Sequence, residues 1–184
     1  MPWGLKRYHD SGKSHFVTFT CFHRTRGFER VSARVEFERA LERVRRKYKM
    51  CVYGYVVMPD HVHLLVSETE RATLATAIKS LKQGISRRLI EDNASHFWQK
   101  RYYDLNIRNR RQFIEKLGYI HRNPVRAGLC EQPGDWRWNS FTHYATGTEG
   151  TVEIESEWTA NKREREAGTM RPKQELPHSS QQKA

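Results

Sequence analysis

The stretch CVYGYVVMPDHVHLLVS, residues 51–67, decides the fold of this chain. Its first part, Cys51 to Met58, is rich in residues that favour β-strands. Pro59 and Asp60 interrupt that strand, because proline has no N–H to donate to a continuing ladder. The alternation of His61 to Ser67 then predicts a second strand. With so short a connection, we expect the two strands to form an antiparallel pair.

Similar patterns on either side complete the fold prediction. HFVTFTCF (15–22) predicts a strand before this pair, and YYDLNI (102–107) predicts a strand after it. Apolar residues at helical spacing predict a helix from an N-cap at Ser32, a second over 74–89, and a third from Arg110 to about Arg122. Pro124 favours a helix end at the residue before it. The order predicts an α+β fold, a ferredoxin-like antiparallel sheet with helices on one face, plus one added helix.

The composition favours a nucleic-acid partner. The 184 residues include 33 Lys+Arg and 21 Asp+Glu, a formal net charge of +12, and such a field attracts polyanions. An anionic membrane surface is the rival partner, but the sequence has no apolar run of the roughly 18 residues that a spanning helix needs. Its first residues, MPWGLKRYHDSGKSH, lack the apolar core that a signal peptide has, so we expect none. Cys21, Cys51 and Cys130 form no disulfide or zinc pattern, so we expect a reducing, cytoplasmic setting.

Two pairs of residues are candidates for chemistry. His61 and His63 point to the same side of their strand, with Val62 and Leu64 on the other, and two imidazoles on a rigid strand suit a divalent metal. On the third helix, Tyr119 and Asn123 are four residues apart and share a face. From the pattern alone, the histidine pair is also compatible with a structural role. Tyr119 is likewise compatible with a half-buried packing aromatic.

Four segments taken together resemble the REP-associated tyrosine transposases, a group of the single-tyrosine transposases with a His-hydrophobic-His (HUH) motif. They are VVMPDHVHLLVSE (56–68), FWQKRYYDLNIRN (97–109), YIHRNPVRAGL (119–129) and PGDWRWNSF (133–141). The resemblance runs from about Tyr8 to beyond Trp158. It implies that residues 1–150 form an HUH catalytic domain and that the added helix is catalytic. Residues 151–184 are then a C-terminal extension, which we expect to be partly disordered because of its polar composition.

The resemblance also implies a set of roles. Tyr119 is the nucleophile, and His61, His63 and Asn123 hold a divalent metal, Mg²⁺ or Mn²⁺. Related insertion-sequence enzymes commonly carry Gln in place of the asparagine. The implied activity is that of a transposase: a site-specific single-strand DNA endonuclease and strand-transferase that acts on hairpin, repetitive-palindrome-like DNA through a 5′-phosphotyrosine. The alternatives are a non-mobile DNA-binding protein of the same fold and a metal-dependent nuclease that uses water.

Basic and aromatic residues supply the predicted DNA contacts, because cationic grooves with aromatic platforms suit single strands. The contacts predicted are Lys6, Arg7, Lys100, Arg101, Tyr102, Arg108, Arg110 and Arg111. The expected partner is single-stranded or hairpin DNA, without a membrane, and the chain acts as a monomer or homodimer. Its expected location is the cytoplasm of a bacterial cell, in association with the nucleoid.

Overall fold

The protein is built around a four-stranded sheet. The computed structural model describes residues 14–90 and 96–167. Its strands are β1 (Ser14–Thr20), β2 (Met50–Val57), β3 (His61–Thr69) and β4 (Tyr103–Ile107). They lie in the order β2-β3-β1-β4, and every neighbouring pair is antiparallel. This is the ferredoxin-like topology, with β3 inserted between β1 and β2, so the predicted fold class is confirmed.

Helices cover both faces of the sheet. The described residues form α1 (Val31–Tyr48), α2 (Leu74–Leu89) and α3 (Arg110–Arg126), followed by the shorter α4 (Phe141–Thr146) and α5 (Glu157–Glu166). α1 and α2 enclose the larger core together with one face of the sheet, and α3 packs on the other face over a second core. Among the described helices, α3 is the one that contributes residues to this second core. None of the described helices is long and apolar enough to cross a membrane.

The strands divide their side chains between the two cores. On β3, Val62 and Leu64 are fully buried in the core beneath α1 and α2, whereas Leu65 is buried beneath α3. On β1, Val17 faces α1 and α2, while Phe16 faces α3. Successive residues of a strand point to opposite faces, so the parity of a residue decides which core or site it joins.

Gly54 allows α3 to pack closely on β2. A Cβ built at this glycine would lie 2.6 Å from Cδ1 of Leu117 and 3.3 Å from Oγ of Ser140. Leu117 and Ile120 of α3 both lie within 4 Å of that point. A side chain at residue 54 would push on the helix that carries Tyr119 and Asn123.

Two predicted helix ends differ from the structure. α1 begins at Val31, and the residue at its N-cap is Arg30, whose side chain makes no capping bond, so Ser32 lies inside the helix. α3 does not end before Pro124 but continues to Arg126. Its end is a Schellman motif, in which Gly128 has a φ of +69° and its N–H donates to the carbonyl of Val125. The tertiary contacts of α3 outweigh the local preference of the residue before proline.

The segment after α3 completes the sheet edge. The N–H of Val57 donates to the carbonyl of Trp138 (2.9 Å), and the N–H of Ser140 donates to the carbonyl of Tyr55 (3.0 Å). Further on, Val152 and Ile154 enter the larger core, and α5 follows. Of the predicted C-terminal extension, residues 168–184 lie outside the described residues, so the expected disorder there stays a prediction.

Candidate active site

Strand β3 brings the two histidines together on the α3 face. His61 and His63 pair with Thr20 and Thr18 of β1, respectively. Their ring centroids are 4.8 Å apart with the planes at 75°. His61 is half-buried, whereas His63 is only 5% exposed. Because side chains alternate along the strand, the two rings lie on the same face of the sheet, as predicted.

A hydrogen bond fixes the Nδ1 atom of each ring. Nδ1 of His61 lies 2.6 Å from Oδ1 of Asp60, and Nδ1 of His63 lies 2.7 Å from Oγ1 of Thr18. A carboxylate only accepts, so His61 donates from Nδ1, and in the neutral ring the lone pair is then on Nε2. The same assignment for His63 leaves its Nε2 as an acceptor. A partner of this kind on the second nitrogen is the usual support of a metal-binding histidine.

The surroundings of these groups keep His63 neutral and Asp60 charged. Burial, followed by the nearby His61, lowers the pKa of His63 to about 3. Phe16 covers the ring in a stacked contact with centroids 5.4 Å apart. Burial alone would raise the pKa of Asp60, but the hydrogen bond to His61 and the charge of Arg24 hold it below its ordinary value. Neutral imidazole is the form that ligates metals.

Helix α3 carries the other two predicted site residues to the histidines. Nδ2 of Asn123 lies 3.3 Å from Nε2 of His63, and Asn123 is buried. The ring of Tyr119 lies 5.2 Å from the ring of His63, nearly edge-on at 73°. All four candidate residues, from two elements far apart in the chain, therefore meet in one patch. This patch, His61, His63, Tyr119 and Asn123, is called the HUH site below.

Lys116 is a functional candidate that the sequence reasoning missed. Its Nζ lies 6.0 Å from the centroid of Tyr119 and 5.4 Å from that of Phe16. It precedes Tyr119 by three residues, so helical spacing alone would have placed it on the same face. Its charge also contributes to the lowered pKa of His63. A cation beside the tyrosine is suited to a phosphate group.

The donor set fits a divalent metal. Among the described residues, no three histidine, cysteine or acidic side chains come together as a metal site, and the side chain that lies beside the two histidines as a further potential ligand is the amide of Asn123. Ligands about 2.1 Å from an octahedral ion stand about 3 Å apart. The 3.3 Å between the Asn123 amide and Nε2 of His63 is close to that value. The N and O atoms of the Asn123 amide exchange places when the amide group is turned over. Turning it would bring Oδ1 instead of Nδ2 close to Nε2 of His63.

The predicted DNA contacts do not form one surface around the HUH site. Lys100 and Tyr102 line a groove beside α2, on the other face of the sheet. Arg108, Arg110 and Arg111 stand where β4 passes into α3, and Arg110 lies about 14 Å along the helix from Tyr119. Arg101 is exposed, and Lys6 and Arg7 lie outside the described residues. The exposed aromatic that does lie near the site is Tyr103, whose ring is 6.4 Å from that of Phe16.

Comparisons with known proteins agree on the identity of this fold and sequence. The family model described as "Transposase IS200 like" matches residues 9–123. A candidate REP-associated tyrosine transposase of Haemophilus influenzae is 30% identical over 118 residues, covering 58% of this chain and 67% of the relative. A REP-associated tyrosine transposase of Escherichia coli is 25% identical over 138 residues, covering 74% and 81%.

A solved structure has the same fold. It is that of a REP-associated tyrosine transposase bound to a REP hairpin, with a TM-score of 0.63 and 22% identity, covering 82% of this chain and 90% of that one. The family match spans β1 to the last residue of the HUH site, Asn123. The chain belongs to the IS200-like transposases, and within them to the REP-associated tyrosine transposases.

Proposed function

We propose that the protein cuts and rejoins single-stranded DNA at a hairpin through a covalent bond to Tyr119. The observation that carries this proposal is the convergence of Tyr119 and Asn123, from α3, on the two histidines of β3. The ring contacts of Tyr119 with His63 and Phe16 hold its phenol beside three neutral nitrogen- and oxygen-bearing side chains that can ligate a metal. The chemistry of these groups suits attack on a phosphodiester.

The reaction conserves phosphoester bonds. The phenol oxygen of Tyr119 forms a bond to the scissile phosphorus while the bond from phosphorus to the 3′ oxygen breaks. The products are a 5′-phosphotyrosine and a free 3′-OH, with the phenol proton passing to solvent or to the departing oxygen. Attack by a 3′-OH on the phosphotyrosine reverses the step, so rejoining needs no ATP.

His61, His63 and Asn123 are the residues that would hold a divalent ion, Mg²⁺ or Mn²⁺. When bound, such an ion supplies Lewis acidity to the phosphate and to the departing oxygen. Asp60 and Thr18 hold the two rings so that Nε2 is the ligating nitrogen. The low pKa of His63 keeps it in the unprotonated form that ligation needs. Imidazole ligands favour Mn²⁺ over Mg²⁺.

Lys116 and Phe16 place the nucleophile. The ring of Phe16 packs against Tyr119 with centroids 5.9 Å apart at 80°. The ammonium of Lys116 lies over both rings. We infer that Lys116 attracts the scissile phosphate to the side of the phenol of Tyr119.

The choice of a hairpin substrate rests on the relatives. The solved structure with the same fold holds a REP hairpin, and both curated relatives carry the REP-associated description. The formal net charge of +12 agrees with a polyanionic partner. We propose cytoplasmic action on chromosomal hairpins.

The test is a denaturing gel with an oligonucleotide hairpin labelled at its 5′ end or its 3′ end. Wild-type protein with Mn²⁺ should retain the strand 3′ of the cut, and Tyr119→Phe should give neither adduct nor cut strand. Tyr103→Phe is the matched control, since Tyr103 is 55% exposed on the same face and should leave the adduct unchanged. An adduct on Tyr119→Phe would place the nucleophile elsewhere. Cleavage without any adduct would favour a metal-bound water, and hairpin binding without cleavage by wild type would favour the non-mobile binding protein.

A further inference from the structure

A second candidate site lies on the face of the sheet opposite the HUH site. It is a groove of about 460 Å³ between α2 and residues 98–102. Two hydrogen bonds hold its walls together: Nε1 of Trp98 donates to the carbonyl of Lys82 (2.9 Å), and Nζ of Lys82 donates to the carbonyl of Gln99 (3.0 Å). The groove is thus a built feature of the fold and not a gap between loosely packed segments. It is called the α2 groove below.

All the charged side chains among the described residues that line the α2 groove are basic. Four basic side chains line it, and no aspartate or glutamate does: Lys79, Lys82, Arg87 and Lys100. Lys79, Arg87 and Lys100 are exposed. Lys82 is half-buried, and burial lowers its pKa. Four basic side chains along one groove give it a positive potential, so the groove is suited to a polyanion.

Its other lining groups match an unpaired strand better than a duplex. The ring of Tyr102 forms part of the wall, with Nζ of Lys82 5.9 Å from its centroid. The side chains of Gln83 and Ser86 add hydrogen-bonding groups, and the exposed Ala75 adds an apolar contact. Aromatic, apolar and amide groups contact base faces and edges, which are available in a single strand but covered in a duplex.

The start of β4 connects the groove to the HUH site. Tyr102 packs against the core beneath α1 and α2, whereas the next residue, Tyr103, lies near Phe16 on the α3 face. β4 is an edge strand, paired only with β1 in the described sheet. A DNA strand that passes around this edge moves from one face to the other within the span of two residues.

We propose that the α2 groove binds the unpaired DNA strand next to the cut, on the face opposite Tyr119. This inference rests on the proposed function, since it assumes that DNA reaches the HUH site. The strand lies with its phosphates along Lys79 and Lys100 and a base against Tyr102, and it rounds the start of β4 to reach the nucleophile. The groove thereby sets where along the strand the cut falls.

A salt titration tests the role of the groove charges. Fluorescein-labelled oligothymidine is bound to Tyr119→Phe protein with and without Lys79→Gln and Lys100→Gln. Each phosphate that is no longer neutralised should lower the slope of log affinity against log salt by about 0.7, so the pair of substitutions should lower it by about 1.4. Arg39→Gln with Arg165→Gln removes the same charge from exposed sites outside the groove and should leave the slope near its original value. An unchanged slope in the groove variant, or an equal change in the control, overturns the proposal.

Photocrosslinking tests the position without any groove substitution. Oligothymidine carrying one 5-iododeoxyuridine is irradiated on Tyr119→Phe protein, and the modified residue is located by mass spectrometry. We expect crosslinks at Tyr102. Crosslinks at Tyr103 with none at Tyr102 would restrict the strand to the α3 face and overturn the proposal. Both experiments measure binding alone, so they are read independently of the adduct gel that tests cleavage.

Discussion

Thr18→Val should weaken metal binding at the HUH site by removing a single hydrogen bond. Valine and threonine have nearly the same shape, so the substitution removes the hydroxyl that lies 2.7 Å from Nδ1 of His63. His63 is 5% exposed, and no solvent replaces that partner easily. The imidazole is then free to rotate or to exchange its tautomer. Either change removes the Nε2 lone pair from the position at which His63 and Asn123 would bind the same metal ion.

Two magnitudes follow from this geometry. Loss of the partner that orients a ligating histidine typically costs 10–100-fold in metal affinity. That range corresponds to about 1.4–2.7 kcal/mol. Leaving a buried N–H without an acceptor costs about 1–3 kcal/mol of folding stability. Thr18→Val should therefore lower the free energy of unfolding of the metal-free protein by that amount and lower Mn²⁺ affinity at least tenfold.

The assay is a titration with Mn²⁺, in which electron paramagnetic resonance reports the free ion, together with urea unfolding of the metal-free protein. Thr18→Ser keeps the hydroxyl and should bind Mn²⁺ within a fewfold of wild type. If Thr18→Val binds Mn²⁺ as tightly as wild type, the hydroxyl does not orient His63 for metal. If Thr18→Ser loses as much affinity as Thr18→Val, packing of the methyl group is responsible and the argument from the hydrogen bond is wrong.

Three further predictions concern neighbouring parts of the structure. Gly54→Ala should lower the free energy of unfolding by about 1–3 kcal/mol and slow cleavage, because its Cβ would lie 2.6 Å from Cδ1 of Leu117. Adding Leu117→Ala to the same chain should recover part of both losses, as measured by urea unfolding and the adduct gel. Asp60→Asn should weaken Mn²⁺ binding about tenfold in calorimetry, because it removes the carboxylate that accepts from Nδ1 of His61 and orients the ring. Unaltered affinity would contradict this orienting role of Asp60. Burial lowers the pKa of His121 from 6.5 to about 4, so its protonation favours the unfolded chain. The contribution of His121 to stability is complete above pH 6.5 and should fall by about 1.4 kcal/mol per pH unit down to about pH 4, in addition to the loss due to His63, and His121→Gln should remove this part of the slope in urea unfolding followed across pH.

The parts of the site that the sequence predicted are those set by local periodicity. The two-residue repeat of β3 placed His61 and His63 on one face, and the helical repeat placed Tyr119 one turn from Asn123. Neither repeat says that the two faces meet. That depends on the docking of α3 over the second core, at the bare backbone of Gly54. A glycine within a strand signals close approach but not the identity of the approaching element.

The predictions that differed from the structure did so where tertiary contacts overrule local preference. Pro124 weakens the helix locally, yet it is buried in α3, and the motif at Gly128 satisfies the carbonyls of the last turn.

The partners of the histidines, Thr18 and Asp60, belong to a neighbouring strand and a turn. Thr18 is 45 residues from His63, and only the strand register brings it there. Asp60 directly precedes His61, so its contact was within reach of a sequence argument.

Residue parity at the start of β4 places two tyrosines on the two sides of the sheet, one at the proposed nucleophile's face and one at the proposed DNA groove. Tyr102 and Tyr103 are alike in chemistry and adjacent in sequence, yet the pleat sends one to the α2 groove and the other toward the HUH site. A shift of β4 by one residue against β1 would exchange them and also turn Leu105 out of the second core. The apolar residues of β4 thus fix the register that assigns the two tyrosines to their faces. Because Tyr102 directly precedes Tyr103, the first residue of β4, the step from the groove to the α3 face is made within adjacent residues of the backbone.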